Sequence, residues 1–351
     1  MANLKAESNG LINNLERILK RERIFSLPQI LQVEISSACN LTCDICARNE
    51  FDYGPGNLPI SSFESLTFLF PSLKRLILHG YGEPFAHPDF VKIMEIVAPY
   101  KCHKSFYTNG TLLSGDKARA TLVGGIDEIA VSIDSTKKET FEEIRRGASF
   151  DKVIKNVGDF IAMRNSEGKT KFRHECPPKV IIAAVAMKDT VEDLPYIVDL
   201  ARDLGADGVE INYLMAYKNA LVERSLYFDK ELSNRSLAET KKRAESFGLE
   251  TRLPDTFTTE GTPKNPMPES SCPRPYDFAY VGYDGNIRPC CFPLLFVGNI
   301  KDLGFREIWN GNKYRNLRRA FARKNPPSFC RECLSGTYTH VDSEKCHISC
   351  I

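Results

Sequence analysis

Apolar positions along the first two thirds of the chain follow two alternating patterns. Short runs of Val, Ile, Leu, Phe and Tyr recur at 31–36 (LQVEIS), 75–80 (RLILHG), 104–110 (KSFYTNG), 128–134 (EIAVSID), 179–187 (KVIIAAVAM) and 208–214 (GVEINYL). Such runs predict strands of a buried sheet. Between them the spacing is helical. In FDKVIKNVGDFIAMRNSEG, Val153, Ile154, Val157, Phe160 and Ile161 share one face, and Gly168 predicts a stop. In VEDLPYIVDLARDLGADG, Pro195 falls in the first turn, where proline is tolerated, and glycine follows the last turn. Repeated strand–helix units predict a parallel sheet with right-handed crossovers, and six of them make an open or partly closed β/α barrel.

The pattern changes towards both ends. Residues 1–30 are charged and amphipathic and read as one helix plus a link. The barrel is expected over 31–250. The segment RLPDTFTTEGTPKNPMPESS has no period and places a linker at 251–271. Residues 272–351 form a smaller, cysteine-rich unit, of a size at which metal binding commonly compensates for a thin core. Within it, FAYVGYDGNIRPC predicts a hairpin turning at Asp284-Gly285, and FREIWNGNKYRNLRRAF a short helix.

Composition narrows the function. Lys plus Arg total 47 and Asp plus Glu 45, a net charge of +2, which gives no reason to expect a nucleic-acid or membrane partner. The N-terminus lacks the apolar stretch of a secretory signal, and no run approaches a membrane span, so a cytoplasmic location is expected. Twelve cysteines in a reducing compartment point to metal binding or catalysis rather than disulfides. Ten fall in two groups: Cys39, Cys43 and Cys46, then Cys272, Cys290, Cys291, Cys330, Cys333, Cys346 and Cys350, with Cys102 and Cys176 apart.

The first group, ACNLTCDICAR, is spaced C-x3-C-x2-C and begins three residues after the first strand. That places it on a loop at the carboxyl ends of the strands, where reactive groups collect in α/β folds. A structural zinc site needs four ligands, whereas a 4Fe-4S cluster held by three thiolates keeps an open iron. A zinc site completed by a distant ligand and three unrelated thiols remain as alternatives on spacing alone.

CNLTCDIC resembles the signature of the radical S-adenosylmethionine (radical SAM) superfamily. The resemblance implies a partial (β/α)6 barrel, a catalytic 4Fe-4S cluster on Cys39, Cys43 and Cys46, and SAM chelated to the open iron. It also implies reductive cleavage of SAM to a 5′-deoxyadenosyl radical that abstracts hydrogen from substrate. Further positions match in order at strand ends. Tyr81-Gly82-Glu83 resembles the family's GGE motif, which holds the methionine amino group, with Tyr81 in place of the first glycine. Thr108 and Asn109 close the third strand. Ser132 and Asp134 close the fourth, where relatives contact the ribose or carboxylate of SAM. Arg145 and Arg146 of the RRG stretch are candidates to reach the SAM carboxylate.

The second group resembles the SPASM/twitch extension of a large radical SAM subfamily, which holds one or two auxiliary 4Fe-4S clusters. Cys272, Cys290, Cys330 and Cys333 are the expected ligands of one cluster, with a zinc ribbon as the alternative. The full C-x2-C-x5-C-x3-C run is missing after Cys333, so Cys346 and Cys350 are either ligands of a second, rearranged cluster or a loose tail. Such enzymes oxidise a substrate radical by passing an electron to an auxiliary cluster, or epimerise by giving back a hydrogen atom from a thiol. Cys291, Cys102 and Cys176 are the donor candidates. The expected substrate is a small polar metabolite, with a peptide as the alternative, and a flavodoxin or ferredoxin is the expected electron donor. An iron–sulfur electron carrier or a zinc-stabilised interaction protein is the non-enzymatic alternative.

Overall fold

The structure, a computed structural model, describes residues 3–49, 54–171, 177–216, 219–257, 272–291, 295–328 and 330–331. Seven parallel strands follow one another: β1 (Ile30–Val33), β2 (Arg75–Ile77), β3 (His103–Thr108), β4 (Glu128–Ser132), β5 (Lys179–Ala186), β6 (Gly208–Tyr213) and β7 (Glu250–Arg252). Each pairs in parallel with the next, with registers such as Ile30↔Arg75 and Ile181↔Gly208. The six predicted strands are all present. β7 is additional, a short edge strand in the Glu250–Arg252 stretch that has no apolar pattern to reveal it.

Helices cross between strands, among them Phe90–Val97, Gly115–Val123, Phe150–Lys171, Leu194–Leu204 and Lys230–Phe247. Strand residues such as Leu76, Phe106, Val131 and Val180 pack with helix residues such as Phe90, Val153, Val157 and Ile197 in one apolar core. Each such side chain, when fully buried, contributes roughly 1.5–3 kcal/mol. Two details depart from expectation. Gly168 does not end its helix, which runs on to Lys171; a glycine costs about 1 kcal/mol against alanine there but can be carried. The predicted short helix at 305–321 is two, Phe305–Trp309 and Asn312–Ala322, broken at Asn310-Gly311.

The cysteine-rich unit extends the barrel sheet. β8 (Phe278–Val281) pairs in parallel with β1, Ile30↔Phe278 to Val33↔Val281, and β9 (Asn286–Arg288) and β10 (Gly298–Asn299) continue antiparallel. The sheet runs β10-β9-β8-β1 to β7 and does not close on itself. The predicted turn is at Gly285, whose φ of 88° is the left-handed region that glycine occupies at no steric cost. The N-terminal helix, α1 (Leu4–Ile18), lies at the amino end of β1, opposite the cysteine loop.

Candidate active site

The cysteine loop leaves the carboxyl end of β1 and is fastened by neighbouring backbone. Thr42 and Asp44 amides donate to the Arg146 and Ile144 carbonyls at 3.0 and 3.4 Å. Arg48 donates to the Ser37 and Leu41 carbonyls at 3.1 and 2.9 Å. Gly147, at φ 95°, lies against Leu41, where an added Cβ would come 3.3 Å from the Leu41 side chain. The RRG stretch therefore clamps the loop through its backbone. Arg146 is exposed and contributes its carbonyl.

Arg145 acts through charge. Its Nε donates to Asp134 Oδ2 at 2.6 Å, and Asp134, fully buried, also accepts from the Val185 amide at 2.9 Å. The guanidinium lies within electrostatic reach of Cys43 and Cys46. Burial pushes the Cys43 thiol up to about 11 and the Cys39 thiol upwards, with Arg145 and Arg48 pulling the other way. Cys39 Sγ accepts from the Leu41 amide at 3.4 Å and has Asn109 Nδ2 at 3.8 Å. Among the described residues no three His, Cys, Asp or Glu side chains meet as a site for one metal ion. Three soft thiols on one pinned loop, with two cations beside them and N–H groups towards sulfur, fit an iron–sulfur cluster.

The Tyr81-Gly82-Glu83 stretch lies directly on the start of this loop. The Glu83 amide donates to the Ala38 carbonyl at 2.9 Å. A Cβ on Gly82 would fall 2.3 Å from the Ser36 carbonyl oxygen, so only glycine fits. The Glu83 carboxylate is buried and accepts from Thr108 Oγ1 and the Asn109 amide, both at 2.8 Å. Burial raises its pKa to about 7. Glu83 thus ties the β2 and β3 ends together, and Asn109 carries the tie to Asn40 at 3.1 Å. Ser132 is half-buried at the end of β4. The Tyr81 amide donates to Glu34 at 2.7 Å and its hydroxyl to the Cys291 carbonyl at 3.3 Å, which explains a tyrosine where the motif has glycine.

Below this surface the barrel strands line an open cavity of about 790 Å³. Its floor is ionic: Arg252 donates to both Glu128 oxygens at 2.7 and 2.5 Å and to Glu210 at 3.3 Å. Its walls mix Ile77, Ile211 and Leu253 with Gln32, His79, Tyr107, Glu210 and Asn212, and Tyr81, Met215 and Cys291 also line it. His79 Nδ1 accepts from the Tyr107 amide at 3.2 Å, leaving the proton on Nε2. Its desolvated setting and the Arg75 charge push its pKa down to about 3, so the ring is neutral. Tyr107 donates its hydroxyl to Glu210, and burial and that carboxylate raise the phenol pKa. The sequence reading did not single out these residues. Their signal is a polar residue at every second strand position, as in Gln32 and Glu34, or Glu210 and Asn212.

The remaining cysteines separate by position. Cys272 and Cys330 pack beside Leu317 and Phe321 of helix Asn312–Ala322, and Cys290 lies in electrostatic reach of Tyr314 on that helix. Cys291, one residue on, lines the barrel cavity. Cys102 sits in the apolar core before β3, 4% exposed, and is not among the residues that line the barrel cavity. Cys176, Cys333, Cys346 and Cys350 lie outside the described residues.

Comparison with known proteins agrees with this geometry. Residues 33–167 match the radical SAM superfamily, and residues 272–334 match SPASM, an iron–sulfur cluster-binding domain. The chain belongs to the radical SAM superfamily and carries a SPASM domain. It is an enzyme of that class, with 4Fe-4S clusters and SAM as cofactors; the zinc and electron-carrier alternatives fall away. It is 24% identical over 334 residues to the tungsten-containing aldehyde ferredoxin oxidoreductase cofactor-modifying protein of Pyrococcus furiosus, covering 86% of each chain. It is 25% identical to the AdoMet-dependent heme synthase of Methanosarcina barkeri, covering 83% of this chain and 85% of the relative. Among solved structures, Streptococcus suis SuiB bound to precursor peptide SuiA aligns at TM-score 0.66 and 15% identity, over 95% of this chain and 76% of that one. Native anSMEcpe with bound AdoMet aligns at 0.64 and 19%, over 92% and 93%. The likeness to both concerns the fold. No helix among the described residues is long and apolar enough to cross a membrane.

Proposed function

We propose that this enzyme oxidises a small polar substrate held in the barrel cavity. One observation supports the reading: Cys290 and Cys291 are consecutive, Cys290 in electrostatic reach of Tyr314 on the helix whose Leu317 and Phe321 pack beside Cys272 and Cys330, and Cys291 on the cavity wall. The cavity is therefore one peptide unit from the expected electron acceptor. When bound, the catalytic cluster with SAM would supply hydrogen-atom abstraction, and an auxiliary cluster would supply an electron acceptor. The chain's own groups handle binding and the proton. His79 Nε2–H and the Asn212 amide are donors, and Glu210 is the acceptor. Glu210, held by Tyr107, Asn212 and Arg252, receives the proton released as the carbon is oxidised. About 790 Å³ falls in the range of pockets that hold a small molecule, and the Arg252–Glu128–Glu210 cluster gives its lining the charge that suits a polar substrate.

The relatives act on varied substrates by their names, including the PqqA peptide cyclase of Gluconobacter oxydans, so a peptide is the second substrate class. Cys291 on the cavity wall also favours a second chemistry, epimerisation with its thiol returning a hydrogen atom. Turnover in D2O with reduced flavodoxin or ferredoxin separates the two. Oxidation gives a product short of two hydrogens, with Cys291→Ala still active. Epimerisation gives a product of unchanged composition carrying one solvent deuterium on carbon, abolished in Cys291→Ala, and that result would replace the oxidative reading.

A further inference from the structure

Helix α1 is mounted inside out. Its inward face is polar: Asn9 exchanges hydrogen bonds with Leu27 N and O at 2.8 and 2.9 Å, Asn13 donates to the Tyr276 carbonyl, and Glu16 accepts from Ser26. Its outward face carries Leu4, Leu11, Leu15 and Ile18, exposed by 72, 73, 55 and 70%, flanked by Ile12 and Leu19. A surface helix normally does the reverse. The polar bonds fix its orientation, so the apolar face is presented to something outside the fold.

The spacing says what. Leu4, Leu11 and Ile18 are seven apart and Leu15 is four beyond Leu11, the seam of a two-helix coiled coil. The seam is balanced about Leu11, with an apolar residue seven positions to either side, so it suits a copy of itself across a two-fold axis. Charge selects the direction. Arg17, Lys20, Arg21 and Arg23 are exposed at the carboxyl end, while Lys5 and Glu7, both exposed, cancel in the first turn. The carboxylate of Glu22 is already held by Arg319 at 2.6 Å. Parallel pairing would stack two basic ends. Antiparallel pairing separates them, setting each basic end against the partner's first turn, where Lys5 and Glu7 offset one another. The near-neutral total charge averages over this local excess.

We propose that α1 is a dimerisation helix, two copies pairing antiparallel with Leu11 at the axis and Leu4 opposite the partner's Ile18. The seam residues make few contacts within their own fold, so substitutions there leave the melting temperature and SAM cleavage unchanged. Sedimentation velocity of the anaerobic holoenzyme should show a dimer, and Leu11→Asp should weaken it by about tenfold or more. Leu4→Lys and Ile18→Glu should each weaken it, and the double variant should recover, because the introduced charges then face each other. A monomeric wild-type protein, a dimer indifferent to Leu11→Asp, or no recovery in the double variant would overturn the proposal. So would a monomer that floats with phosphatidylglycerol vesicles and loses them on Leu11→Asp, which would assign the face to lipid.

Discussion

Gly82→Ala tests how the active-site loop is held. A Cβ at this position would lie 2.3 Å from the Ser36 carbonyl oxygen and 2.5 Å from the Ser37 carbonyl carbon. Ordinary contact begins near 3.4 Å, so about 1 Å of movement is needed, and the obstructing atoms are backbone. Ser37 cannot yield alone, because its amide bonds the Gly56 carbonyl at 2.9 Å and its carbonyl accepts from Arg48 at 3.1 Å. The strain passes to Cys39, two residues on, or to Glu83 and its bonds to Thr108 and Asn109. Overpacking of this kind costs about 1–3 kcal/mol, a few degrees of melting temperature. A displacement of about 1 Å at a reacting centre costs on the order of a hundredfold in rate. Reductive SAM cleavage, followed as 5′-deoxyadenosine, should fall by about that factor in anaerobically reconstituted protein. Gly158→Ala is the matched control: nothing lies within 4 Å of its Cβ position in the long helix, and it should stabilise by up to ~1 kcal/mol. A Gly82→Ala enzyme cleaving SAM within about threefold of wild type would refute the packing argument.

Other outcomes follow from the same structure. Changing Cys39, Cys43 and Cys46 together to Ala should abolish SAM cleavage and leave about four irons per chain on the SPASM cysteines; about eight would bring in Cys346 and Cys350 as ligands of a second auxiliary cluster. Glu210→Gln should cut product formation by roughly a hundredfold while uncoupled SAM cleavage continues, checked by product and 5′-deoxyadenosine yields side by side. Glu34 is buried, and burial raises its pKa to about 7 from an ordinary 4.5. The folded state therefore binds the proton more tightly, and stability falls as pH rises towards and through about 7. Melting temperatures between pH 6 and 8 should decline with pH in wild type and more weakly in Glu34→Gln.

How much was legible beforehand follows from the range of each signal. The six core strands, the loop position of Cys39, Cys43 and Cys46 and the hairpin at Gly285 are local: apolar periodicity, short spacing and turn chemistry are written within ten residues of one another. Which side chain meets which is not local. The motif marks Glu83 as a cofactor residue, and only the fold shows its carboxylate bonded to Thr108 and Asn109, 25 and 26 residues away. Arg145 and Arg146 are adjacent and alike in sequence, yet the fold leaves the Arg146 side chain in water and gives Arg145 to Asp134. Cys291 and Cys102 are both thiols outside the expected cluster ligands, and the sheet puts one on the cavity wall and the other in the core.

The sequence alone determined the chemistry: three thiols on a strand-end loop, a barrel of repeated strand–helix units, and a second cysteine unit behind it. Tertiary structure decided the site. Parallel pairing of β8 with β1 merged the cysteine unit into the barrel sheet, and sheet curvature turned alternate strand residues into one polar cavity. It also turned the apolar face of α1 outward, because Asn9, Asn13 and Glu16 found buried partners from distant segments. Periodicity records that a helix has two faces; which face is buried depends on what the rest of the chain offers to each.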